Sequence, residues 1–230
     1  GERLPPRGPI WVTVTVSAFF GNALPFLLIA WAEERIEGGV AAILMAPMPL
    51  ITLLIAHTAT RDEKLDRYKL AGIATGVVGV VVLIGVDKLT RLGEDTVRQL
   101  AVLGAGCCYA INVVANRGLT GGSVVGNVTA VMIVTLAMLS PIAVLAGWHF
   151  VPTASSLAAI GTLALFSTCI GTLLLVEIIK RQGASFSGQV NFLVPVFSLV
   201  WGALLLGERP TLRAMAGLAL ILAGVAIARR

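Results

Sequence analysis

The sequence predicts an all-α fold, a polytopic bundle of membrane helices. Three observations carry that expectation. Hydrophobic residues make up 57% of the chain and charged residues 13%, with a mean hydropathy of +0.93. An ordinary soluble domain carries about 25% charged residues, so this chain has too few to cover a water-facing surface. Its apolar residues fall in long runs between short charged or turn-rich breaks. One block also occurs twice, as in membrane folds built from internal repeats.

The runs are 10–31, 39–57, 69–86, 98–117, 126–148, 156–179, 184–206 and 211–228, eight in all. The first opens after Pro9 and stops before Glu33-Glu34-Arg35. The second follows Gly38 and stops before Arg61-Asp62-Glu63-Lys64. The third ends at Asp87-Lys88, and the fourth runs from Arg98 to Arg117. The fifth ends at Trp148, the sixth at Lys180-Arg181, the seventh at Glu208-Arg209-Pro210, and the eighth at Arg229-Arg230. Even the shortest reaches about 27 Å at 1.5 Å per residue, close to the hydrocarbon thickness of a bilayer. In lipid every backbone group must be satisfied within the segment, so these runs are helices. Trp11, Trp31, Tyr68 and Trp148 fall at run ends, where aromatic rings favour the interface. His57 and His149 also stand at run ends, as interfacial residues rather than ligands.

Lysines and arginines divide unequally between the two sets of ends. Arg3, Arg7, Arg61, Lys64, Arg67, Lys69, Arg117, Lys180, Arg181, Arg229 and Arg230 lie on one side, eleven in all; Arg35, Lys88, Arg91, Arg98, Arg209 and Arg213 make six on the other. The positive-inside rule then places both termini in the cytoplasm. The net charge of +5 is scattered over short loops with no basic tract, which disfavours nucleic acid as a partner. Cys107, Cys108 and Cys169 sit in apolar runs without metal or disulfide spacing. No cofactor or metal is called for, and the expected partners are a lipid bilayer and a small-molecule solute.

The repeated block reads Glu63, eight residues, Gly72, six residues, Gly79-Val80, and again Glu208, eight residues, Gly217, six residues, Gly224-Val225. Each copy follows an apolar run with a proline, Pro49 or Pro195. Superimposing those prolines puts Gly38-Gly39-Val40-Ala41-Ala42 on Ala184-Ser185-Phe186-Ser187-Gly188. Equivalent runs are five apart, an odd number, so the copies cross the membrane in opposite senses. An inverted repeat predicts a pseudo-twofold axis in the membrane plane and a site near the midplane. The fourth and fifth runs lack first-copy counterparts, and the opening Gly1-Glu2-Arg3-Leu4-Pro5 reads as an interhelical loop. The expectation is two further helices before Gly1.

Small residues, then Val194-Pro195-Val196-Phe197, Leu206-Gly207-Glu208-Arg209 and Ala223-Gly224-Val225 together resemble the EamA-type domain of the drug/metabolite transporter superfamily. In the first copy Arg61-Asp62-Glu63-Lys64 replaces Leu-Gly-Glu-Arg. The resemblance covers essentially the whole chain. It implies a ten-helix carrier of two inverted five-helix repeats, of which eight helices are present here. Residues 1–86 would be the last three helices of the first repeat, 87–97 a connecting loop, and 98–230 the complete second repeat.

Glu63 and Glu208 are read as caps or ion-pair partners that fix tight hairpins. Gly72, Gly76 and Gly79, and Gly217 and Gly224 with Ala216 and Ala223, put small residues on helix faces for close contact in lipid. Pro25, Pro47, Pro49, Pro141 and Pro195 lie inside runs, each removing an amide donor; Pro49 frees the Met45 carbonyl and Pro195 that of Asn191. They are either simple kinks or the edges of a cavity.

Polar side chains within runs are costly unless they face protein or water, so they mark candidate sites. Tyr109, Asn112 and Asn116 recur at helical spacing in the fourth run. Gln189 and Asn191 lie near Pro195 in the seventh, Trp201 is well inside the same run, and Asn22 is in the first. Interhelical hydrogen bonding accounts for the amides equally well. Glu177, the one carboxylate inside a run, is either a local partner of Lys180 or Arg181 or a proton-coupling group. No lysine or arginine occupies a run centre, which argues against a strongly anionic solute.

The combined expectation is a secondary transporter, not an enzyme, in a cell membrane such as the bacterial inner membrane. It would export or exchange a small metabolite, such as an amino acid or related amphipathic solute, by alternating access. Drug efflux and a non-transporting membrane subunit are the alternatives.

Overall fold

The structure, a computed structural model, describes residues 3–59, 66–119, 122–145, 147, 153–190, 193, 197, 200, 204 and 211–228. Regular structure among these residues is entirely helical. In chain order the helices are α1 (Ile10–Glu33), α2 (Val40–Ala59), α3 (Arg67–Ile84), α4 (Thr96–Gly118), α5 (Val124–Leu145), α6 (Ala154–Gln182), α7 (Ala184–Gln189) and α8 (Leu212–Ala228). The six from α1 to α6 are long and apolar enough to cross a membrane, and α8 is a shorter apolar helix. Of the seventh predicted run, α7 and the helical positions Leu193, Phe197, Val200 and Leu204 are described. Phe197, Val200 and Leu204 are exposed, as side chains bathed in lipid would be.

Local chemistry sets the helix ends. The Asp95 carboxylate accepts the Arg98 amide at 3.2 Å and caps α4. Thr153 and Ser156 form a reciprocal capping box that starts α6. Gly85 ends α3 at φ +119°, and Gly183 turns the chain from α6 into α7 at φ +87°, conformations that side-chain-bearing residues resist.

Helix α2 is the hub. Leu53 packs with Ile73 and Val80 of α3 and Ile221 of α8. Met48 and Ala56 meet Ala110 and Val113 of α4, Ile179 of α6 and Ala184 of α7. At its start Val40 and Ala41 join Ala32 of α1 and Val102 of α4. The α2 helix is interrupted at Ala46-Pro47 and resumes at Met48. Pro47 and Pro49 both bear on it, because neither has an amide to donate to the carbonyl four residues earlier, Ile43 and Met45 respectively. Pro49 lies in the first turn of the resumed segment, where a missing amide costs little.

Helices α3 and α8 cross through their glycines. A Cβ on Gly72 would stand 2.5 Å from the Gly224 carbonyl oxygen, and one on Gly79 would stand 2.9 Å from that of Gly217. As α3 advances from Gly72 to Gly79 its partner retreats from Gly224 to Gly217, so the helices are antiparallel. The contacting face of α8 is Ala214, Gly217, Ile221, Gly224 and Ala228. Ala216 and Ala223, assigned to this face by their neighbouring glycines, are exposed instead. One residue is about 100° of helix rotation, enough to turn them away.

The charged ends segregate as the alternation of helices requires. Glu37 pairs with Lys88 and Arg91, and Arg213 reaches Asp87 at 3.0 Å and the Ile84 carbonyl at 3.3 Å. The Arg98 guanidinium lies 4.5 Å from the centre of the Trp31 ring and 3.1 Å from Glu34. Together these contacts bind the ends of α1, α2, α3, α4 and α8 on one side of the bundle. The Lys88 hydrogen bond, with Arg91 beside it, holds the Glu37 carboxyl below its ordinary range.

Candidate functional site

Midway along α1 the helix widens. Phe19–Ala23 form a π-helical turn in which the Leu24 amide reaches back to the Phe19 carbonyl. Pro25 follows at once and is buried. A proline and a π turn are both recognised causes of a bend, and π turns recur at functional sites.

Against this turn lies α4. A Cβ on Gly21 would stand 2.6 Å from the Asn112 Cγ, so the amide of Asn112 occupies the space that a side chain at position 21 would take. Asn22 comes next and is buried, 8% exposed. One turn along α4, Asn116 accepts a hydrogen bond from the Ser17 hydroxyl at 2.9 Å. Asn112 is buried as well, yet its Oδ1 has no hydrogen-bond partner among the described residues. A buried amide oxygen without a donor costs about 1–3 kcal/mol. Asn116 is thus employed in joining helices, whereas Asn112 retains an unused acceptor.

Tyr109 shares the α4 face but turns elsewhere. It is half-buried and packs on the cluster of Met48, Ala56, Ala110, Val113, Ile179 and Ala184. The four predicted residues of α1 and α4 therefore divide, with Asn22, Asn112 and Asn116 at the α1–α4 contact and Tyr109 toward α2 and α7. Asn191 and Trp201 lie outside the described residues, as do Pro195, Glu63 and Glu208 and the side chain of Gln189.

Glu177 takes the local role. Its carboxylate accepts from Arg181 Nε at 2.5 Å, an i,i+4 pair near the end of α6. Both side chains remain partly open, 39% for Glu177 and 74% for Arg181.

Two contributors to the site were not singled out from sequence, Ser17 and Gly21. They are four apart, hence on one helix face, with Asn22 beside them; that spacing in an apolar run was the available signal. Asn127 heads an Asn127-Val128-Thr129 sequon. It is fully buried and donates from Nδ2 to the Leu119 carbonyl at 3.2 Å, tying the start of α5 to the end of α4.

Comparison with known proteins agrees with this architecture. A protein of known crystal structure superimposes with a TM-score of 0.81 at 21% identity, covering 97% of this chain and 78% of the other, which shows the shared fold. The uncharacterized inner membrane transporter YedA of Escherichia coli K12 is 24% identical over 214 residues, 90% of this chain and 67% of its own length. A probable terminal-alkyne amino-acid exporter of Streptantibioticus cattleyicolor is 27% identical over 229 residues, 98% of this chain and 75% of that protein. An S-adenosylmethionine/S-adenosylhomocysteine transporter of Chlamydia trachomatis is 24% identical, over 87% of this chain and 63% of its own. The EamA-like transporter family matches residues 1–85 and 98–230. With apolar helices that cross a membrane and a family match over nearly its whole length, this integral multi-pass protein belongs to the EamA-like transporter family.

Proposed function

We propose that the protein moves a small neutral or zwitterionic solute, of amino-acid size, across its membrane by alternating access, in the direction of export. The observation that carries this reading is the buried Asn112 amide, wedged against Gly21 beside the α1 π turn with an unsatisfied acceptor. A polar group kept unpaired in an apolar bundle suits a ligand that supplies the missing donor. A relative named as a probable terminal-alkyne amino-acid exporter supports the solute class and the direction.

The reading includes a twofold-related architecture. The sequence repeat exchanges Gly72 with Gly217 and Gly79 with Gly224. The contact of Gly72 with Gly224 then becomes the contact of Gly217 with Gly79, and both occur. Such self-complementarity supports inverted repeats within an eight-helix chain of a ten-helix carrier. Residues 1–86 and 98–230 are its two unequal parts. Tyr109, Asn112, Asn22, Gln189, Asn191 and Trp201 are assigned to the solute path, with Asn116 as a structural neighbour. Glu177, already paired with Arg181, is left as a candidate for proton coupling.

Both termini are assigned to the cytoplasm. Ion pairs occur on both sides, at Lys88, Arg91, Arg98 and Arg213 on one and at Arg181 on the other, so the assignment rests on the eleven-to-six count of lysines and arginines.

Counterflow in proteoliposomes tests the function. Vesicles holding the full-length protein and loaded with unlabelled neutral amino acids should accumulate the labelled form above protein-free vesicles. Equal signals across neutral, cationic and anionic solutes would reject the proposal.

A further inference from the structure

Two described helices depart from α-helical geometry at matching places. The first departure is Phe19–Ala23 in α1 and the second is Leu163–Ile170 in α6. The register that sets Pro49 on Pro195 sets Phe19–Ala23 on Leu165–Cys169, inside the second π segment. Gly21-Asn22 then falls on Ser167-Thr168. Proline does not explain both, because the residue matching Pro25 is Gly171. In α6 the Gly171 amide reaches back to the Phe166 carbonyl, the same five-residue span by which Leu24 reaches Phe19.

The hydroxyls of this second segment differ from those of four threonines placed in regular α-helix. Thr52, Thr75, Thr135 and Thr162 each return their hydroxyl to the carbonyl four residues earlier, at 2.8–3.0 Å. That local bond is the usual way to satisfy a hydroxyl in a membrane helix. Ser167 and Thr168 make no such bond to a described residue, and the altered pitch of a π turn moves the carbonyl that would serve them. Ser167 is exposed and Thr168 half-buried. Both lie well inside a span of 29 residues whose neighbouring side chains, Leu163, Leu165, Phe166 and Ile170, are apolar. Unserved hydroxyls at that depth are costly unless they meet protein, water or a ligand.

We propose that Ser167 and Thr168 bind the transported solute, forming with Asn22 and Asn112 the two halves of one site. This inference rests on the transport reading above. The two hydroxyls and two amides offer both donors and acceptors, and no lysine or arginine stands at the centre of either helix. The fitting ligand is a neutral or zwitterionic molecule with hydrogen-bonding groups at two ends, rather than a net anion.

The test uses single cysteines in the full-length protein with Cys107, Cys108 and Cys169 replaced by alanine. Ser167→Cys, Thr168→Cys and the control Phe166→Cys are exposed to a small membrane-impermeant cationic methanethiosulfonate from each side. At positions 167 and 168 modification should be at least tenfold faster than at position 166 from one side or the other. Thr168→Val, which keeps shape and removes the hydroxyl, should raise the KM for a labelled neutral amino acid at least tenfold at unchanged abundance. Labelling no faster than the control from both sides overturns the proposal, whatever the transport result. An unchanged KM in Thr168→Val overturns it too. Fast labelling in a protein that transports none of the neutral amino acids keeps the water-lined site and rejects the solute class, so the two failures are distinct.

Discussion

Arg98 and Trp31 are locked together at one end of the bundle. The guanidinium carbon lies 4.5 Å from the ring centre, and Nη1 donates to the carbonyl of that same tryptophan. Glu34 and Asp95 flank the charge at 3.1 and 3.6 Å, and the arginine side chain is 10% exposed. Planarity matters here, because a guanidinium stacks on a ring and hydrogen-bonds at its edge at once. Arg98→Lys should therefore lower stability by about 1–2 kcal/mol although the charge is kept. Thermal melting of the purified protein in detergent checks this, and a melting point equal to the parent's would contradict it.

Acid should loosen the same end. Lys88 and Arg91 hold the Glu37 carboxyl below its ordinary value of 4.5. A carboxylate with a depressed folded-state pKa contributes its full stabilisation above the unfolded value and loses it as pH falls through the folded one. Melting points taken below pH 4.5 should accordingly fall more steeply in the parent than in Glu37→Gln. Parallel curves would remove Glu37 from the account.

The amides of α4 should separate into two phenotypes. Ser17→Ala and Asn116→Ala remove one buried hydrogen bond, so a double-mutant cycle should give a coupling of about 1 kcal/mol in stability. Asn112→Ala removes an acceptor that nothing in the described protein uses. It should leave stability close to the parent's or slightly raised, and reduce transport at unchanged abundance. Loss of stability without loss of transport would reverse the two roles.

Bulk at the glycine crossing should be damaging from either side. A Cβ on Gly217 would stand 2.5 Å from the backbone nitrogen of Leu83, and one on Gly224 would stand 2.6 Å from the Gly72 carbonyl oxygen. Backbone cannot rotate aside, so Gly72→Ala and Gly217→Ala should each destabilise by about 1–3 kcal/mol. Gly104→Ala is the control, since its nearest neighbour is a leucine methyl at 3.8 Å. Melting points in one detergent decide the matter.

Sidedness has its own test. Segments 117–126 and 180–184 should be reached by impermeant reagents from the cytoplasm, and a cysteine at Ser155 from outside. Access to Ser155 from the cytoplasm alone would invert the assignment. The sequon at Asn127 offers no readout, because that side chain is fully buried and bonded to the Leu119 carbonyl.

Most of the helical layout was legible because a bilayer allows few alternatives: expected runs such as 10–31 and 98–117 differ from Ile10–Glu33 and Thr96–Gly118 by at most two residues at either end. The glycine pairing was legible in its residues but not in its face, since Ala216 and Ala223 are small and adjacent yet turned outward. Of the two π turns a proline rule marks only the first, which precedes Pro25; the second precedes Gly171 and leaves no such mark. Ser17 was hidden for a related reason. A lone serine in an apolar run acquires meaning only when Asn116, ninety-nine residues away, is brought against it.

The crossing of α3 and α8 also speaks to origin. Because Gly72 meets Gly224 while Gly79 meets Gly217, each helix carries both surfaces that the contact needs. A half-length ancestor with a single such helix would already have held a complete dimer seam, inserted in opposite directions in its two copies. On the inverted-repeat proposal, joining the copies in one gene would have created no new contact there. Duplication would have freed each glycine to change without altering its counterpart.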